Sequence, residues 1–168
     1  MYARGRGVPQ DDVQAVKWFN LAADQGEATA QFFLGLQYKL GRGVPQDDVQ
    51  AVKWYRLAAD QGNASAQGSL GFMYFAGKGV PQDDVQAVKW FRLAADQGNG
   101  PAQYNLGDMF AQGKGVPQDD VQAMKWYRLA ADQGNEYGKK AIGIYGKKMS
   151  PQQIAQADEL ARNWKPKK

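Results

Sequence analysis

Four Asp-Asp pairs, at 11–12, 47–48, 83–84 and 119–120, are the residues of this sequence with the spacing for acid–base chemistry. Adjacent carboxylates can divide the roles of general acid and general base. Each pair, however, follows Gly-Val-Pro-Gln and opens a stretch of helical apolar spacing. There an Asp caps free backbone N–H groups and meets the positive end of the helix dipole. Four copies in one setting read as helix starts, not as a catalytic dyad. An enzyme would have to use Asp108 or Glu136, and neither comes with a nucleophile, a base and an orienting group. The Gly-x-Gly loops, such as Gly77-Lys78-Gly79, lack the Lys-Ser/Thr ending and the preceding strand of a phosphate cradle, so they read as turns. The chain has no Cys and no His. That removes thiolate nucleophiles, imidazole bases, disulfides and ordinary zinc sites together. No catalytic residue, metal or cofactor is assigned.

The elements that hold these residues repeat every 36 positions: Trp18, Trp54, Trp90 and Trp126 sit in nearly identical text, Gly-Val-Pro-Gln-Asp-Asp-Val-Gln-Ala-Val/Met-Lys-Trp. A period of this size marks a repeat array. The copies fall at 27–62, 63–98 and 99–134, with a partial copy at 1–26 and a degenerate one at 135–168, all in one solenoid domain. The first copy lacks its first half, which points to a fragment of a longer array. Each full copy reads as two helices. Helix A is expected at 28–40, 64–76, 100–112 and 136–148, and helix B at 11–25, 47–61, 83–97 and 119–133. Asp83 serves as the N-cap of its helix B, with Gln86 completing a capping-box-like pair. Gly98 closes it in a left-handed conformation. Val85, Val88, Trp90, Phe91, Leu93, Ala94 and Ala95 supply a broad apolar face, and the recurring Trp is expected in the core. After Met149 the loop is missing. A final helix starts at Ser150-Pro151, with Ile154, Ala157, Ala161 and Trp164 on its apolar face, as a cap for the open end. The fold class is therefore all-α, an α/α array of about nine helices.

These residues resemble the Sel-one-like repeat (SLR) family, a tetratricopeptide-like branch of the α-solenoids. The resemblance rests on Ala66, Leu70, Gly71, Tyr74, Gly77, Gly79, Val80, Asp83, Ala87, Trp90, Phe91, Ala94, Ala95, Gln97 and Gly98, and it recurs through residues 1–134. It implies a right-handed superhelix of helix pairs and an adaptor or scaffold role in binding other proteins, often in bacterial envelope or host-interaction settings. By that resemblance alone, a periplasmic or secreted location is favoured over the cytoplasm. Cysteine-rich relatives linked to β-lactam binding lend nothing here, because this chain has neither cysteines nor a Ser-x-x-Lys motif.

Function is sought where the copies disagree. Residues 63–98 and 99–134 differ at ten positions, eight of them in helix A. At roughly 100° per residue, the constant positions Ala66, Gln67, Leu70, Gly71 and the aromatic at 74 span roughly 140° of the helix, and the variable ones lie opposite. Drift on a solvent face would also scramble Gln50, Lys53 and Asp60 of helix B, whose residue types are the same in all four copies. The variable face is therefore expected to line a concave groove. Its residues are Phe32, Phe33, Leu36, Lys39 and Leu40; then Gly68, Ser69, Phe72, Phe75 and Ala76; then Tyr104, Asn105, Asp108, Ala111 and Gln112; then Lys140 and Ile144. It runs from apolar to polar to cationic. With helices about 8–10 Å apart, four A helices line roughly 30 Å, the reach of around ten extended residues at about 3.3 Å each.

The partner expected is a protein or peptide segment with apolar anchors at one end and acidic residues at the other. The alternative is self-association through the N-terminal end. The net charge of +4 is uneven: residues 1–134 hold 13 Lys/Arg and 14 Asp/Glu, and residues 135–168 hold 8 and 3. With no basic stripe along the array and no aromatics among the lysines, nucleic acid is not an expected partner and the basic end reads as a solvated tail. No apolar run reaches the roughly 20 residues of a membrane span.

Overall fold

The computed structural model describes residues 11–167, and within them every regular element is a helix. The chain forms two compact units, Met1–Gln82 and Asp83–Lys168. In the first, α1 (Asp12–Asp24), α2 (Ala28–Leu40), α3 (Asp48–Asp60) and α4 (Ala64–Ala76) pack in chain order. In the second, α5 (Asp84–Asp96), α6 (Gly100–Gln112), α7 (Asp120–Asp132) and α8 (Glu136–Tyr145) do the same, and α9 (Pro151–Arg162) packs on α7. Odd-numbered helices up to α7 are the expected B helices, and even-numbered ones are the A helices.

Local chemistry sets the helix ends. Asp11, Asp47, Asp83 and Asp119 each accept the backbone N–H three residues on, at 2.9–3.0 Å. The carboxylate pairs are thus helix starts, and each cap satisfies one of the four orphan N–H groups. The expected capping box is only half made there; the reciprocal pair forms at α9, between Ser150 and Gln153. Asn63, Asn99 and Asn135 cap the A helices in the same way. At the loop between α4 and α5, Gly79 adopts φ +68° and lies so close to the Asp48 carbonyl that any Cβ would overlap it. The helix expected over 136–148 stops at Tyr145 and tightens into a 3-10 turn at 146–148. Gly143 and Gly146 weaken its last turn.

The constant face of helix A is the buried one. Ala66, Leu70 and Met73 in the first unit, and Ala102, Leu106 and Met109 in the second, are fully or nearly fully enclosed. Its glutamine is enclosed too, and its bonds fix the geometry between helices. Gln31 Nε2 donates to the Ala23 carbonyl at 3.2 Å and its Oε1 accepts from Gln61 at 2.8 Å. Gln103 repeats both contacts, to Ala95 at 3.2 Å and from Gln133 at 2.7 Å. The constant glycine on this face lets an aromatic ring pass: a Cβ on Gly107 would stand 2.8 Å from the Tyr127 ring.

Three expectations about burial change. Trp18 is 58% exposed and Trp54 half-buried, whereas Trp90 is buried and Trp126 is only 2% exposed. The Trp is therefore core only in the second unit. Val85 and Leu93, placed on the apolar face of helix B, are exposed, because that face is narrower than the apolar spacing suggests. The C-terminal tail is not simply solvated: Lys167 donates its backbone N–H to the Asp96 carbonyl at 2.7 Å and its ammonium to the Asp96 carboxylate at 2.7 Å. The degenerate last copy acquires its own core, in which Met149 and Ala157 meet Met124, with Val121, Ile142, Tyr145 and Ile154 packed around them.

Candidate functional site

The helix A residues that vary between copies stay accessible. In the first unit, Phe32, Phe33, Leu36, Lys39, Gly68, Ser69 and Phe75 are half-buried, while Leu40, Phe72 and Ala76 are exposed. In the second, Tyr104, Asn105 and Asp108 are half-buried, and Gln112, Lys140 and Ile144 are exposed. Ala111 is the exception: it is 7% exposed and is withdrawn from the candidate surface. It shares a register position with Lys39 and Phe75, but its single methyl group is too short to rise past its neighbours.

In the first unit these side chains form an aromatic patch seated on the B helices. Phe33 stacks on Phe19 at 5.4 Å between ring centroids, Phe32 meets Phe33 at 5.3 Å, and Phe32 meets Tyr55 at 5.9 Å. Such pairs are held by both area and ring quadrupoles. Phe72 is 38% exposed, and the Lys39 ammonium sits 5.0 Å from its centroid. Lys39, the one cation among the candidate residues of this unit, therefore sits over the patch. The Tyr55 hydroxyl is buried beside Ser69; burial pushes it above the usual tyrosine range, and the Ser69 side chain opposes that rise.

The second unit carries a tyrosine cluster around one carboxylate. Tyr127 donates its hydroxyl to Asp108 Oδ1 at 2.7 Å. The Tyr104 ring lies 5.9 Å from Tyr127 and 5.7 Å from Tyr137, and Tyr145 lies 5.4 Å from Tyr127. Burial first, then the Asp108 carboxylate, pushes the Tyr104 hydroxyl up to about 12. The same two causes, in the same order, raise Tyr127 further. Asp108 has no ion-pair partner among the described residues, so the cluster presents an accessible negative charge ringed by aromatic faces. Of the cations expected to finish the gradient, Lys140 is exposed and Lys148 rests 5.8 Å from the Tyr145 ring centroid. Glu136 pairs with Lys139 at 2.8 Å, which lowers its pKa.

The sequence reading missed Phe19, Tyr55, Tyr127, Tyr137 and Tyr145. The signal for three of them was visible. The position after the repeat Trp alternates as Phe19, Tyr55, Phe91 and Tyr127, and the hydroxyl at 127 comes with Asp108 where Phe91 has Phe72. A cleft of about 280 Å³ between α7, α8 and α9 is lined by Arg128, Asp132, Ile142, Asp158, Ala161 and Arg162, with Arg128 paired to Asp158. Residues 1–10 of the partial first copy, and the self-association expected of that end, lie outside the described residues.

Comparison with known proteins gives the same picture of the fold. The profile of the Sel1 repeat matches residues 1–27, 28–63, 64–99 and 100–135. The structure is similar to that of a protective antigen present in uropathogenic Escherichia coli strains that displays an SLR fold, with TM-score 0.85 and 42% identity. That match covers 96% of this chain but 36% of the antigen, so the chain spans about a third of that relative. A Sel1 repeat protein from Oxalobacter formigenes gives TM-score 0.80 and 33% identity, covering 96% of this chain and 69% of the other. The Helicobacter pylori cysteine rich protein B shares the fold at TM-score 0.61 and 22% identity, over 79% of this chain and 95% of its own. No curated protein matches the sequence.

Proposed function

Since the chain belongs to the Sel1 repeat family, all-α helical repeat solenoids that generally serve as protein–protein interaction modules, we propose that it is a non-catalytic adaptor. It holds a peptide or protein segment on the variable faces of its A helices. The observation that supports this is the division of each A helix. Identical residues are enclosed (Ala66, Leu70, Leu106), while most residues that change from copy to copy remain at least partly open (Phe72, Tyr104, Asp108). A surface that changes chemistry from repeat to repeat on a constant frame is suited to recognising an irregular guest.

The geometry refines the guest. The first unit offers Phe32, Leu40 and Phe72 to apolar side chains. Asp108 and the tyrosine rings of the second unit suit a Lys or Arg side chain, since a cation gains from both a carboxylate and aromatic faces. The exposed Lys140 suits an acidic residue. The first unit thus suits a segment with apolar anchors, and the second a segment that carries basic and acidic residues. Selection of a displayed random-peptide library on the full chain tests this. Enriched peptides should combine apolar and basic residues. Phe72→Ser should remove the apolar preference, and Asp108→Asn should remove the basic one. Enrichment unchanged by both substitutions would reject the reading.

A further inference from the structure

The C-terminal tail occupies a binding site that the first unit repeats and leaves open. Its last residues run over the corner where α5 ends. A Cβ on Gly98 would meet Trp164 at 3.7 Å and Pro166 at 3.9 Å, Lys167 holds Asp96, and Trp164 makes an edge contact with Trp126 at 6.4 Å between centroids. On α7, three residues after Trp126, Leu129 is only 7% exposed. The receptor is thus Asp96, Gly98, Trp126 and Leu129.

Seventy-two positions earlier stand the same four residue types, Asp24, Gly26, Trp54 and Leu57. The frame behind them is the same. Gln31 and Gln61 make in the first unit the bonds that Gln103 and Gln133 make in the second. Gly35 admits the Tyr55 ring as Gly107 admits Tyr127. Yet this copy of the receptor is open. Nothing described lies within 4 Å of a Cβ built on Gly26, Asp24 is exposed without an ion-pair partner among the described residues, and Leu57 is 42% exposed. The second unit therefore carries a filled receptor and the first unit an open version of it.

We infer that the Asp24–Gly26–Trp54–Leu57 surface binds the C-terminal segment of a second copy of this chain, residues 160–167. Trp164 lies on Trp54 and Leu57, Pro166 on Gly26, and Lys167 pairs with Asp24. The proposal stops at residue 160 for a structural reason. The N-terminal half of α9 sits on Val121 and Met124, where the last copy has lost its loop. In the first unit that loop is present, and Gly79 lies against Asp48 and Val49. The Arg128–Asp158 pair also has no twin, because Arg56 is engaged with the Tyr74 hydroxyl. The second site is accordingly weaker than the first, and tethering favours each tail on its own chain. The site is on B helices and does not depend on the A-helix patches.

The test is titration of the ¹⁵N-labelled full chain with an acetylated synthetic peptide of residues 160–168. The expected result is saturable shifts of the Trp54 indole N–H and of the Gly26 and Leu57 amides. Affinity should fall at least about tenfold for the chain carrying Asp24→Lys and for the peptide carrying Trp164→Ala, since a buried aromatic and its charged neighbour carry most of a small interface. Asp24 is exposed at a helix C-terminus, where a lysine suits the dipole, so that variant folds, and its own spectrum verifies this. No shifts, shifts confined to Gly98 and Trp126, or undiminished binding by Asp24→Lys would each overturn the proposal.

Discussion

Replacing Asp108 by Phe and Tyr127 by Phe, separately and together, tests whether variation between repeats is paired across helices. At the register positions of 108 and 127 the preceding copy has Phe72 and Phe91, so both residue types change together in the sequence. Tyr127 is fully enclosed, and its hydroxyl reaches the carboxylate at 2.7 Å. Asp108→Phe alone strands a buried hydroxyl, at a cost of about 1–3 kcal/mol. Tyr127→Phe alone removes one donor from a carboxylate that remains half-open to water, at a cost of about 0.5–1.5 kcal/mol. The double variant removes donor and acceptor together, so no hydroxyl is left stranded and the two effects should couple by about 1–2 kcal/mol. At about 2–4 °C per kcal/mol for a chain of this size, the Asp108→Phe variant should melt several degrees below wild type and the double variant should recover part of that loss. Calorimetry of the four proteins reads the cycle. Strictly additive losses would refute the pairing and reduce Asp108 to an incidental neighbour.

Tyr55→Phe removes a buried hydroxyl that faces the Ser69 side chain, so it should change stability by no more than about 1 kcal/mol, read as melting temperature; a larger loss would refute the assignment. Gln103→Leu keeps the volume but deletes the bonds to Ala95 and Gln133. It should destabilise by about 1–3 kcal/mol, whereas Gln112→Leu on the exposed face should stay within about 0.5 kcal/mol in the same denaturant titration. Tyr104 has a folded-state pKa raised from 10.0 to about 12. Above pH 10 the unfolded chain gains by ionising while the folded hydroxyl stays protonated. Stability should therefore be unaffected by this group below pH 10 and decline as pH rises from 10 towards about 12, and less steeply in Asp108→Asn. A stability profile measured across that range checks the sign.

Helix positions were legible because each rests on a local signal. Asp at the N-cap, the 3.6-residue spacing and Gly at the close placed the first seven helices to within a residue or so at either end. The constant face of helix A was legible for the same reason: Gln67, Leu70 and Gly71 had to pack against something, and they are buried. What escaped were properties set by remote neighbours. The text around Trp54 and Trp126 differs nearby only in Val52 against Met124, but Trp164 contacts the second, a remote partner that no local pattern reveals. Ala111 has the angular position of a surface residue, and its burial depends on the height of the side chains around it. The Tyr127–Asp108 bond joins residues 19 apart on different helices; only the comparison of one copy with the next hints at it.

The central claim is that the copy-variable side of the A helices holds the guest. Chemical-shift mapping of the full chain with a library-selected peptide addresses it most directly. Shifts should concentrate at Phe72, Tyr104 and Asp108 while the enclosed Leu70 and Leu106 hardly move. Shifts confined to the B helices, with those three residues silent, would contradict it.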